Sequence, residues 1–131
     1  MATGFPMELP EYTRVTRFNV DIPQEVVTCT IPASNNLSNI IACGGLRLSG
    51  ILMPSTWTQA VLTFKGGISN TDMRPLYDSF GNYYGLHVPP NGFVLLDRED
   101  MISVPFIQLC SGTFSAAVNQ TAAAPITLIL R

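Results

Sequence analysis

The chain has 131 residues, 47% of them hydrophobic and only 12% charged, with a formal net charge of −2. So apolar a composition excludes intrinsic disorder, yet no run approaches the ~18 apolar residues of a membrane-spanning helix. The few basic residues are scattered from Arg14 to Arg131, which excludes the basic patch of a nucleic-acid or anionic-lipid binder.

Residues 1–12 hold Pro6 and Pro10 and no sustained periodicity, so they read as an extended arm. Phe5, Met7, Leu9 and Tyr12 are its apolar residues, available to a neighbour. From Thr13 a period of two puts Thr16, Phe18, Val20 and Ile22 on one face of a strand that Pro23 closes. Arm and first strand together occupy residues 1–24, and residues 25–131 form the domain. Residues 25–31 read as a strand with Val27, Cys29 and Ile31 opposed to Val26, Thr28 and Thr30. A turn cluster at 32–36 precedes a weaker candidate at 37–43, which Gly44-Gly45 breaks. Leu46, Leu48 and Leu52 then alternate with Arg47 and Ser49. The chain turns through Met53-Pro54-Ser55, places its only tryptophan, Trp57, just past the turn, and continues as a strand with Ala60, Leu62 and Phe64 facing the core. Lys65-Gly66-Gly67 is expected to end that strand.

Residues 78–82 suit a hairpin loop with Gly81 at positive φ. Residues 83–88 and 93–96 are expected to pair across Pro89-Pro90-Asn91-Gly92, because Asn-Gly is a strong hairpin signal. Asp97 suits the cap of one helical turn through Met101. A strand at 104–110, an Ala-rich polar connection at 111–124 and a closing strand at 126–130 complete the chain. About eight or nine short strands and no ordinary helix predict an all-β fold: a single-domain antiparallel β-sandwich, jelly-roll-like, with an extended N-terminal arm.

Chemistry-bearing patterns are sparse. His87 is the sole histidine, expected half-buried in a strand with a structural hydrogen bond, and no Cys-x-x-Cys spacing accompanies it, so no metal site is expected. Cys29, Cys43 and Cys110 sit among small or apolar residues and suit reduced, packed thiols. Cys110-Ser111-Gly112 lacks the Gly-x-Ser-x-Gly elbow of a nucleophile. Gly44-Gly45 and Gly66-Gly67 lead into no helix that would bind phosphate, and Asp97, Glu99 and Asp100 are accounted for by the cap. No catalytic or cofactor-binding residue is therefore assigned. Tyr77, Phe80, Tyr83 and Tyr84 serve either packing or a stacking or interface patch. Without a basic n-region and apolar h-region at residues 1–8, synthesis in a cytosol is expected, and the glycosylation-like matches at Asn36 and Asn119 are then chance. The low charge points towards an assembly.

Gly50-Ile51-Leu52-Met53-Pro54-Ser55-Thr56-Trp57, followed by Ala60-Val61-Leu62-Thr63-Phe64, resembles a signature of small virion proteins encoded by tailed bacteriophages and prophages. Leu76-Tyr77-Asp78, Leu95-Leu96-Asp97, Ile107-Gln108-Leu109 before Ser111-Gly112-Thr113, and Val118-Asn119-Gln120 extend the likeness over about residues 30–131. Ile68-Ser69-Asn70-Thr71 departs from the family's Ser-x-Asp-Gly, and residues 1–29 lie outside the resemblance. What it implies is a non-enzymatic virion structural protein made in the host cytoplasm, most directly a capsid decoration (cement) protein. Such a protein binds the major capsid protein on the outside of the shell, needs no cofactor, and is expected as a homotrimer. Phe5, Met7, Leu9, Tyr12, Trp57, Tyr83 and Tyr84 are then the candidate interface residues. A tail or connector component is one alternative, and a discoidin-like carbohydrate-binding module using Tyr83, Tyr84 and His87 is another.

Overall fold

The computed structural model describes residues 24–96, 101 and 103–131. The expected arm with Phe5, Met7, Leu9 and Tyr12, the strand before Pro23 and the capped turn at 97–100 lie outside the described residues. Among those described, nine strands follow in chain order: β1 (Glu25–Ile31), β2 (Ile41–Ala42), β3 (Leu48–Leu52), β4 (Val61–Gly67), β5 (Met73–Pro75), β6 (Gly85–His87), β7 (Phe93–Leu95), β8 (Phe106–Ser111) and β9 (Ala124–Leu130).

They form two antiparallel sheets packed face to face as a β-sandwich. One sheet has the order β1-β9-β3-β7; the other has β2-β8-β4-β5, with β6 also pairing β4. Alternation decides what lies between them, since successive side chains of a strand point to opposite faces. Cys29 and Ile31, Leu62 and Phe64, Ile107 and Leu109, and Ile126, Leu128 and Leu130 are all buried in the shared core. Each such aliphatic or aromatic side chain contributes roughly 1.5–3 kcal/mol by leaving water.

Where sequence expectation and structure part, local geometry gives the reason. In β3 the pairing runs from Ile129↔Gly50 to Leu130↔Leu48, so Ser49 bulges without a partner on β9. One extra residue reverses the alternation beyond it. Ile51 is therefore buried, and Leu52, expected inward, is exposed. Strand β4 does not stop at Lys65: Gly66 and Gly67 stay in the ladder with β5 and β8. A Cβ on Gly67 would run into the Asp72 carbonyl oxygen, a close approach that only glycine permits.

The largest correction concerns residues 83–96. The Asn91-Gly92 turn forms, with Asn91 at φ 63° and Gly92 N–H donating to Pro89 O at 3.0 Å. It joins no hairpin, however: β6 pairs β4 in one sheet and β7 pairs β3 in the other. The loop carries the chain across the sandwich edge. Its exit is tied elsewhere, because Met53 N–H donates to Gly92 O at 2.8 Å and Asn91 N–H to Pro54 O at 3.2 Å. The candidate strand at 37–43 shrinks to β2 and one bridge, Leu37↔Cys110.

Candidate functional site

The Trp57 corner is a structural hub. Trp57 retains only 4% of its exposure and belongs to the core with Met53, Val88 and Met101. Its ring, expected at an interface, offers almost no surface to a partner of the folded chain and packs in the core. Its Nε1–H is the single buried side-chain donor or acceptor left without a partner among the described residues.

The residues after Trp57 are held by one that the strand patterns did not single out. Gln120 is fully buried. Its Oε1 accepts from Thr58 N–H at 2.7 Å, while its Nε2 donates to Thr58 O at 3.0 Å and to Ser111 Oγ at 2.8 Å. Its own backbone closes the other side, accepting from Ser34 N–H at 2.7 Å and donating to Asn35 O at 2.9 Å. Every polar atom of the side chain is thus satisfied, as burial of an amide requires. Asn36 Nδ2 donates to Asn119 Oδ1 at 2.9 Å.

Two outward surfaces remain, one on each sheet. On the four-stranded sheet, register aligns Val26, Ile129, Gly50 and Leu95 in one row and Thr28, Thr127, Leu52 and Phe93 in the next. Val26, Phe93 and Leu95 are 59%, 58% and 76% exposed. Gly50 lets the large side chains lie flat, since a Cβ there would stand 3.2 Å from Phe93 Cε1 and 3.5 Å from Ile129 Cδ1. The two rows carry no charge, and Arg47 and Arg131 edge the groove beside them. An outer sheet face of this kind is normally polar.

On the five-stranded sheet the surface is aromatic. Tyr77 and Tyr83 face each other across an isolated bridge with ring centroids 5.1 Å apart and planes inclined 23°. Phe114 meets Tyr83 edge-on at 5.0 Å, and Lys65 Nζ stands 5.9 Å from the Phe114 centroid. The pair Tyr83 and Tyr84 is split by alternation: Tyr84 turns inward onto Phe64, with centroids 5.7 Å apart. Partial desolvation, then the neighbouring Tyr77 oxygen, raises the Tyr83 phenol above its ordinary range. His87, expected half-buried, is exposed on β6, and because Tyr84 turns inward onto Phe64, Tyr83, Tyr84 and His87 do not share one face.

All three cysteines are free and buried. Burial pushes the Cys110 thiol up to about 11 from an ordinary 9.0, against the lowering charge of Lys65. Burial also raises Cys29, despite the Ser38 hydrogen bond, and Cys43. Thiols held protonated are poor nucleophiles. The unfolded Cys110 ionises from 9.0 upwards while the folded one keeps its proton to about 11. Stability is therefore whole below pH 9 and declines as pH rises through that window. The urea midpoint should fall over it, and at pH 8 Ellman's reagent should label the native thiols far more slowly than the urea-unfolded ones.

Among the described residues no group of three or more His, Cys, Asp or Glu is placed to hold a metal ion, and no helix is long and apolar enough to cross a membrane. No family model, curated protein or solved structure matches the chain. The two surfaces rest on this chain's own residues.

Proposed function

We propose that the protein is a structural component of a phage virion, a decoration protein that attaches to the outside of an assembled capsid shell and bridges neighbouring major capsid subunits. The observation that carries this reading is the uncharged outer face of Val26, Leu52, Phe93, Leu95 and Ile129. Exposed apolar patches of such continuity mark association surfaces, and the resemblance over residues 30–131 supplies the partner. The adjoining Arg47 and Arg131 favour a subunit surface that presents carboxylates around an apolar centre. A protein that binds the assembled shell and not free subunits stabilises the shell by mass action. Attachment as a homotrimer multiplies weak contacts. The reading assigns no catalytic residue.

The test is co-sedimentation of recombinant protein with shells that lack it. The double variant Phe93→Asp/Leu95→Asp alters two exposed side chains, so it should keep the wild-type melting temperature and lose attachment by at least about 100-fold, as two desolvated carboxylates imply. Undiminished attachment of that variant, or recovery of the wild type with tails and not with heads, refutes shell decoration through this face.

A further inference from the structure

We propose that the aromatic cluster on the five-stranded sheet is a saccharide-binding platform: Tyr77 presents its free ring face to a pyranose, with Tyr83 and Phe114 backing it and Lys65 at its edge. This goes beyond shell attachment and uses the opposite side of the sandwich.

The rings come from two loops, each locked by its own hydrogen bonds. In the first, the Asp78 carboxylate accepts from Phe80 N–H at 2.8 Å and Asn82 N–H at 3.0 Å, while Asp78 N–H donates to Asn82 O at 2.8 Å. Gly81 supplies the positive φ of 84° that the tight turn requires. In the second, Gly112 stands at φ 82°, where a Cβ would meet Ala116 O at 2.6 Å and Val118 N at 2.7 Å. Thr113 Oγ1 accepts from Ala116 N–H at 3.0 Å and Val118 N–H donates to Ser111 O at 3.0 Å. Beneath that loop Thr63 Oγ1 donates to Gly112 O at 2.5 Å. Both ring-bearing loops are therefore ordered before any ligand arrives, which lowers the entropy cost of binding.

The cluster is not needed to fill the core. Leu76 and Tyr84 already occupy the inward positions of the hairpin and pack against the buried side chains. Tyr77 remains 54% exposed and Phe80, at the tip, 89%. The chemistry of the rim selects the ligand. A pyranose has an apolar C–H face that suits the electron-rich face of an aromatic ring, and hydroxyls around its edge that need both donors and acceptors. Lys65 provides an ammonium, Asn82 an exposed amide, and Thr113 and Ser115, on either side of Phe114, hydroxyls. This differs from the other sheet, whose outer face offers aliphatic groups, one phenylalanine ring and threonines.

The experiment uses the 131-residue chain free in solution with three probes: cellohexaose, chitohexaose and maltohexaose. Binding is read by saturation-transfer NMR and by tyrosine fluorescence. At least one probe should bind with saturation of its ring C–H protons, and Tyr77→Ala should weaken it about tenfold or more without changing the melting temperature. Phe114→Ala should weaken it less. Phe93→Asp/Leu95→Asp, on the opposite sheet, should leave it unchanged, so failure here and failure of shell attachment are separately visible. No response to any of the three probes, or undiminished binding by Tyr77→Ala, overturns the proposal.

Discussion

Trp57→Ala is expected to lower the free energy of unfolding by about 3–5 kcal/mol, the loss typical of removing a large aromatic ring from a packed core. For a domain whose total stability is of order 5–15 kcal/mol, that is a large fraction. The size follows from position. Trp57 belongs to the buried core that also holds Met53, Val88 and Met101, and the corner carrying it is fastened on two sides. One side is the Asn91-Gly92 loop; the other is the 119–123 segment, where Thr56 Oγ1 donates to Ala123 O at 2.9 Å. A fastened wall collapses little into a cavity, so the cost stays near the upper end. Trp57→Phe should cost less, roughly 1–2 kcal/mol, because it keeps most of the apolar ring and removes an N–H that is buried without a partner. Urea denaturation of both variants reads the difference. If Trp57→Ala unfolds at the wild-type midpoint, the ring is not part of the core.

Gln120→Leu should be nearly as severe, about 3–5 kcal/mol, although it preserves volume and adds hydrophobicity. The substitution strands Thr58 N–H, Thr58 C=O and Ser111 Oγ at once. Each buried group left unpaired costs about 1–3 kcal/mol, and members of a network lose more together than singly. Gln120→Glu separates hydrogen bonding from side-chain volume. The carboxylate keeps the acceptor for Thr58 N–H and accepts from the Ser111 hydroxyl, which rotates to donate, but it turns the bond to Thr58 C=O into a repulsion. Burial raises the pKa of such a carboxyl, and its protonated form can donate again. The deficit of Gln120→Glu relative to wild type should therefore shrink as pH falls through the carboxylate range, whereas that of Gln120→Leu should not. Parallel behaviour of the two variants would show that the hydrogen bonds contribute little.

Expectation and structure agree where one strand's alternation is read alone. Strand β1 has Cys29 and Ile31 inside and Val26 outside, and β4 has Leu62 and Phe64 inside, because period-two patterning is a property of a few consecutive residues. They diverge where a partner strand decides. Nothing local marks Ser49 as a bulge; it arises because β9 pairs Gly50 and Leu48 in succession. Asn91-Gly92 fulfils its local preference, yet whether the flanking runs pair depends on two different sheets competing for them. The aromatic cluster shows the same limit. Tyr77 and Tyr83 are near neighbours across a hairpin, but Lys65 reaches them through the pairing of β4 with β5, and Phe114 through the pairing of β4 with β8.

By itself, then, the amino-acid order determined that this protein is an all-β sandwich, which residues of most strands face inward, and that a proline turn carries Trp57 between two strands. The first two follow from short-range sterics and from the partition of side chains between water and core. Only the tertiary structure decided which edges meet, that Gln120 fastens the Trp57 corner, that Leu52 joins Phe93 and Leu95 on an exposed apolar face, and that Tyr83 and Tyr84 serve opposite sides of one sheet. Those outcomes depend on register between strands far apart in the chain, where a shift of one residue moves a side chain from core to surface.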